Sequence, residues 1–236
     1  MNCWIVRMIA SGACALVIVL GAWGQAPNTK ASYPSMAPLG QYLMSDRNAE
    51  IALARSAAPE SISRDAKVVV LGPHGYETAI EGKNGFVCLV ERGWMNPFDH
   101  PEYWNPKNRS PICFNPPATR TVLPITYMRT DLVLAGKSKD EVRDSIKAAF
   151  AKKQLPALEP GAMCYMMSRN AYLTDDDGHN LAHLMFYTPV VDGAALGADL
   201  PGSPVMLIKA GPESISGFIV GTGMWSDGTP APLISE

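Results

Sequence analysis

Sixteen residues without a charge, MIASGACALVIVLGAW from Met8 to Trp23, follow a start that carries one cation, Arg7. A helix that crosses a bilayer wants about 20 apolar residues, and this run is shorter. It reads as the apolar middle of a secretory signal peptide. Ala22-Trp23-Gly24 supplies an A-x-A-like site, so cleavage is expected after Gly24. A cut after Ala26 would leave Pro27 beside the scissile bond. The alternative is an uncleaved anchor. Cys14 lies inside the apolar run, and Ser11 stands where a lipobox wants Leu, so a lipoprotein reading fails. The expected organisation is a signal peptide at 1–24, a flexible leader at 25–44 and one α+β domain at 45–236. The expected location is periplasmic or secreted, with no stable membrane span once the signal is removed.

Export changes the cysteine arithmetic. Cys88, Cys113 and Cys164 remain after the signal leaves, an odd number. In an oxidising compartment one pair is expected to be bridged. Cys88 lies in a strand-like run, and Cys113 ends a proline-rich excursion that must return to the sheet, so Cys88–Cys113 is the expected bridge. Closing a loop of about 26 residues stabilises by about 3 kcal/mol on the chain-entropy account. Cys164, in GAMCYMMS, is then a buried free thiol.

The 236-residue chain is long enough to bury a sizeable core. Its net charge of −2 offers no basic excess for phosphates, so no nucleic-acid partner is expected.

Proline, serine and alanine without a period make 25–44 a leader, with order expected only near Leu39–Met44. SDRNAEIALARSAAP reads as a helix capped by Ser45 and stopped by Pro59. Lys67–Gly72 is a β-branched strand. Tyr76–Lys83 and Phe86–Arg92 flank Asn84-Gly85, which predicts a hairpin between them. From Gly93 to Pro117, prolines and asparagines predict an ordered loop without regular structure, rich in aromatic rings. Ala118–Ala135 reads as one helix with Pro124 near its first turn or at a kink. Lys139–Lys153 reads as a second, with Ser138 and Glu141 as its capping box and Val142, Ile146, Ala149 and Phe150 on one stripe. Met163–Ser168, His183–Thr188, Val205–Lys209 and Ile215–Met224 are further strands. Strands at both ends of a central helical pair, with an N-terminal helix, predict an α+β domain with a largely antiparallel sheet.

Four places could carry chemistry. In TDDDGHNLAH, His179 and His183 are four apart, on one face of either a helix or a strand, and Asp177 shares that face if the chain is extended. Neutral imidazoles and a carboxylate suit a divalent transition metal if His74 or His100 completes the set. The alternative is an acidic turn followed by structural histidines. An EF-hand loop does not fit, because Leu173 and Leu184 would occupy its first and twelfth positions. Second, His74 in Gly72-Pro-His-Gly75 could pair with Glu77 or Asp177 as an acid–base couple; a simple strand-joining turn is the alternative. Third, Trp94, Tyr103 and Trp104 could stack on a ligand or pack on one another. Fourth, Gly136-Lys137-Ser138 resembles the end of a P-loop, but Asp131 stands where that motif needs glycine, so the run reads as a helix stop and a helix cap.

EIALARSAAP, VVVLGPHGYETAIEGKNGFVCLVER, WNPKNRSPICFNPP, LEPGAMCYMMSRNAYL and HLMFYTP together resemble a group of uncharacterised secreted bacterial proteins, from about Ala49 to Pro230. The resemblance implies export and a single domain, with no activity attached. It also implies a Gly-His-x-His-Pro-His pattern where this chain has Gly178-His179-Asn180-Leu181-Ala182-His183; Leu181 replaces the middle imidazole. No complete catalytic constellation is present. The expected function is therefore binding of a small ligand or protein partner. The alternative is a metal-dependent or histidine-assisted enzyme built on His179, His183 and His74.

Overall fold

The computed structural model describes residues 33–175, 181–189, 192–208 and 211–232. Eight strands form one sheet: β1 (Lys67–Gly72), β2 (Gly75–Ile80), β3 (Val87–Glu91), β4 (Ser110–Phe114), β5 (Met163–Met166), β6 (His183–Pro189), β7 (Val205–Ile208) and β8 (Ile215–Gly221). Their order is β2-β1-β3-β4-β5-β6-β8-β7. Only β1 and β3 run parallel; every other neighbouring pair is antiparallel. The α+β class and the largely antiparallel sheet are as the sequence indicates.

Two layers of helix use the two faces of the sheet. Helix α1 (Arg47–Arg55) and the single turn α2 (Glu60–Ser63) precede β1. Ala54, Ala57 and Ala58 pack on Val68, Cys88, Val90 and Cys113. Asp46 caps α1 in place of Ser45, its carboxylate accepting from the amides of Asn48 and Ala49. The opposite face carries α3 (Pro116–Thr121), α4 (Leu123–Leu134) and α5 (Lys139–Ala151). Here Ala118, Val122 and Leu123 meet Leu89, Ile112, Phe114 and Met166. Period-two alternation separates the two sets within each strand.

Helix α5 carries the anticipated capping box, Ser138 with Glu141, and buries Val142, Ile146 and Ala149. Gly136 adopts φ 76° and closes α4, its amide donating to Val133, a conformation that suits glycine. The expected single helix from Ala118 to Ala135 is two. The break falls at Val122, and Pro124 opens the second helix, where its missing N–H has no intrahelical partner to lose.

Two pairings differ from the local reading. Gly85 does turn the chain, with φ 77°, but β2 does not pair with β3. The tight hairpin is β1–β2, closed at Gly72–Gly75, and β3 crosses to the other side of β1. The Gly93–Pro117 excursion is not wholly irregular, because its end forms the central strand β4. Pro111 is tolerated there because β5 registers only with Cys113 and Phe114, leaving the start of β4 unpaired on that side. The disulfide Cys88–Cys113 joins directly opposed residues of β3 and β4, and Cys164 is free and buried.

The described part of the expected 25–44 leader is packed rather than free. From Tyr33 onward the chain packs on the domain, and Tyr42 is fully buried against Trp94, its hydroxyl donating to the Trp104 carbonyl. Glu50 of α1 and Arg92 after β3 form a buried ion pair at 2.8 Å. Arg92 also donates to the Tyr42 carbonyl, and Glu50 accepts from the Leu71 amide. That network ties the early chain, α1, β1 and β3 together.

Candidate ligand cavity

The face of the sheet beneath α3–α5 is not completely filled. A cavity of about 970 Å³ lies between it and the helices. Its floor follows from register. Phe114, Cys164, Met185 and Ile219 are partners in sequence across β4, β5, β6 and β8. Two residues along, on the same face, come Met166 and His183, which are also paired. Glu91 and Ser110 face the cavity from the end of the β3–β4 pair. Ile125, Thr126 and Arg129 of α4 form part of the roof, and Met95 to Asp99 and Gly211 to Glu213 line the side. Most of the lining is aliphatic, thioether or aromatic, with a few buried polar groups among it.

Glu91 is the first of these. It is buried, and Thr126 Oγ1 donates to its Oε1 at 3.0 Å. Burial pushes its carboxyl up to about 7, against the opposing pull of the Thr126 hydroxyl and the Arg129 charge. The proton on Glu91 is therefore exchangeable near neutral pH.

Arg129 holds the roof to the side wall. Its Nη1 donates to the carbonyls of Trp94, Met95 and Asn96, its Nη2 lies 3.2 Å from Glu213, and its guanidinium sits 4.0 Å from the centre of the Phe98 ring. The multiple donors of one planar group explain why a single cation can organise three chain segments.

His183 is 4% exposed. Its Nδ1 is 2.6 Å from the Leu181 carbonyl oxygen. A carbonyl only accepts, so Nδ1 carries the proton. Burial lowers the pKa of the ring, more than the Leu181 carbonyl raises it, which favours neutral imidazole with a bare lone pair on Nε2. Among the described residues that Nε2 finds no hydrogen-bond partner, and neither do Asn96 Nδ2 and Arg129 Nε; all three belong to residues on the cavity lining.

Of the residues singled out from sequence, His74 and His183 are not brought together. His74 is exposed in the β1–β2 turn, four strand positions from β6, each about 4.8 Å. It is not a neighbour of His183. His179 and Asp177 lie outside the described residues. Among the described residues, no group of three His, Cys, Asp or Glu side chains could hold a metal ion. Trp94, Tyr103 and Trp104 are buried with Tyr42, Ile125 and Val142 rather than presented as a stacking platform. Trp94 Nε1 donates to Thr130 Oγ1 at 3.1 Å, so its polar edge is also used internally. The rest of that loop, Met95 to Asp99, does reach the cavity.

The acidic run has a structural member. The Asp175 carboxylate accepts from Tyr33 and Tyr172 hydroxyls, Lys107 Nζ and Asn105 Nδ2, and these donors hold it well below the usual carboxylate range. It fastens the early chain and the 102–109 segment to the turn after β5.

Sequence reasoning found His183 but missed Glu91, Thr126 and Arg129. A signal existed for Glu91: in Val87-Cys-Leu-Val-Glu91 it shares the period-two face of Val87 and Leu89, which places a carboxylate on a core face. No protein-family model, curated protein or solved structure matches the chain. No helix among the described residues is long and apolar enough to cross a membrane.

Proposed function

We propose that the protein is exported and binds a small, largely apolar molecule in the cavity between the sheet and α3–α5. The observation that carries this reading is the cavity itself, about 970 Å³ bounded mainly by apolar side chains with a few inward polar groups. That combination is typical of small-molecule sites, where apolar surface supplies affinity and sparse polar groups supply orientation. A ligand that fills this space gains dispersion contacts with the apolar lining. The apolar run Met8–Trp23 and the Cys88–Cys113 bridge support export, since disulfides persist mainly in oxidising compartments.

Binding is tested by fluorescence titration of the mature protein with 1-methoxypyrene, an apolar probe. One-to-one saturable binding is expected, weakened at least about tenfold in Ile219→Trp, which fills the floor. Absence of saturable binding, or equal binding by a folded Ile219→Trp variant, would contradict it. For export, the expected N-terminus of the purified periplasmic or secreted protein is Gln25. A mature chain that still begins at Met1 would count against signal cleavage.

A further inference from the structure

We infer that the molecule bound in the cavity is uncharged and presents a hydroxyl or amide N–H that donates a hydrogen bond to Nε2 of His183. The inference rests on the cavity-binding reading and adds the chemistry of the ligand. Three independent facts lead to it. The 2.6 Å contact of Nδ1 with the Leu181 carbonyl fixes the tautomer, leaving Nε2 as the accepting atom. Nε2 is buried without a hydrogen-bond partner among the described residues, although His183 lines the cavity. Leaving a buried acceptor unsatisfied costs free energy, which a donor on the ligand recovers. On β8 the residue opposite His183 is Gly221, where an added Cβ would meet only Leu181 Cδ2 at 3.9 Å. No side chain from that position caps the imidazole.

The surroundings argue against a charged ligand. Met166, Met185 and Ile219 flank the histidine along the sheet, and an ion brought among them would lose its hydration without a compensating partner. The charges of the cations on the lining are already countered: Arg129 by Glu213, with only its Nε–H left unpartnered among the described residues, Arg143 by Asp140, and Lys139 by the Tyr103 ring. Glu91 lies three strands from β6, about 14 Å across the sheet, too far to serve as counter-ion to a group held by His183.

The test compares 1-hydroxypyrene with 1-methoxypyrene, which differ by the donor. In the wild-type protein the hydroxyl compound should bind about five- to tenfold more tightly, the worth of one buried hydrogen bond. In His183→Phe that preference should disappear while affinity for 1-methoxypyrene is retained. A second readout needs no variant. In protein with 15N-labelled histidine, the Nε2 resonance of His183 should start in the range of an unprotonated imidazole nitrogen. It should move on addition of 1-hydroxypyrene and stay in place with 1-methoxypyrene. Equal affinities in the wild type, or an unmoved Nε2 resonance at saturation with 1-hydroxypyrene, would overturn the inference and leave cavity binding intact. Failure of both probes to bind would overturn the cavity reading and this inference with it.

Discussion

Thr126 Oγ1 lies 3.0 Å from Glu91 Oε1, linking the helix that roofs the cavity to the strand that floors it. The hydroxyl is the side-chain hydrogen bond that supports this buried carboxyl, and burial still outweighs it. The pairing gives the cavity a proton that can be gained or lost near neutral pH.

Glu91 should therefore make stability fall as pH rises. Its pKa goes from 4.5 to about 7 on folding. Between those values the folded chain keeps a proton that the unfolded chain has released, so stability declines across that window and stays lower above it. Below about pH 4.5 both states are protonated and Glu91 contributes no slope. Glu91→Gln removes the titration. Urea denaturation at pH 5 and pH 8 should show the variant gaining on the wild type by on the order of 2 to 3 kcal/mol at the higher pH. A difference that does not change with pH would refute the assignment.

The Glu50–Arg92 pair should be costly to break from one side. Both side chains are essentially inaccessible, and each also satisfies backbone groups. Arg92→Met should destabilise by about 3 to 5 kcal/mol, because Glu50 is left buried without its cation. The double variant Glu50→Leu/Arg92→Met should recover part of this. Recovery should be incomplete, since the Leu71 amide and the Tyr42 carbonyl then lack partners. Equal stability of Arg92→Met and wild type in guanidinium unfolding would contradict the burial of this pair.

Cysteine chemistry should separate Cys164 from the bridged pair Cys88 and Cys113. Prepared without residues 1–24, and so without Cys3 and Cys14, the unreduced, folded protein should take up no alkylating reagent. Cys88 and Cys113 are bridged, and burial pushes the Cys164 thiol up to about 12. In denaturant without reductant, Cys164 alone should react. Replacing both Cys88 and Cys113 by alanine should cost about 3 kcal/mol in chemical denaturation. Labelling of Cys113 in the unreduced, unfolded chain would contradict the pairing.

Local signals in the sequence were good guides where the physics is local. Ser138 and Glu141 announce α5 because a capping box satisfies its amides within four residues. Gly136 announces the end of α4 for the same reason. Asn84-Gly85 misled because a turn residue fixes the bend and not the partner: β3 passes β2 and lies parallel to β1, a choice made by burial of both faces of a central strand. Strand β4 was hidden by Pro111 and by the loop chemistry before it. Trp94, Tyr103 and Trp104 suggested a binding surface because nothing nearby in sequence covers them; Tyr42, Ile125 and Val142 do so from a distance. The cavity is the least legible feature, since it is space left between layers. Only Glu91 on an apolar strand face and His183 hinted at it.

The most direct test of ligand binding is carbon-13 methyl spectroscopy of the methionines during titration with 1-hydroxypyrene. Met166 and Met185 lie on the cavity floor. Met163, in the same strand as Met166, points to the opposite face by strand alternation and serves as the internal control. Saturable shifts of Met166 and Met185, with Met163 unmoved, are the expected result. Unchanged Met166 and Met185 resonances at saturating probe, or shifts confined to Met163 and the exposed Met224, would show that the cavity is not where this protein binds.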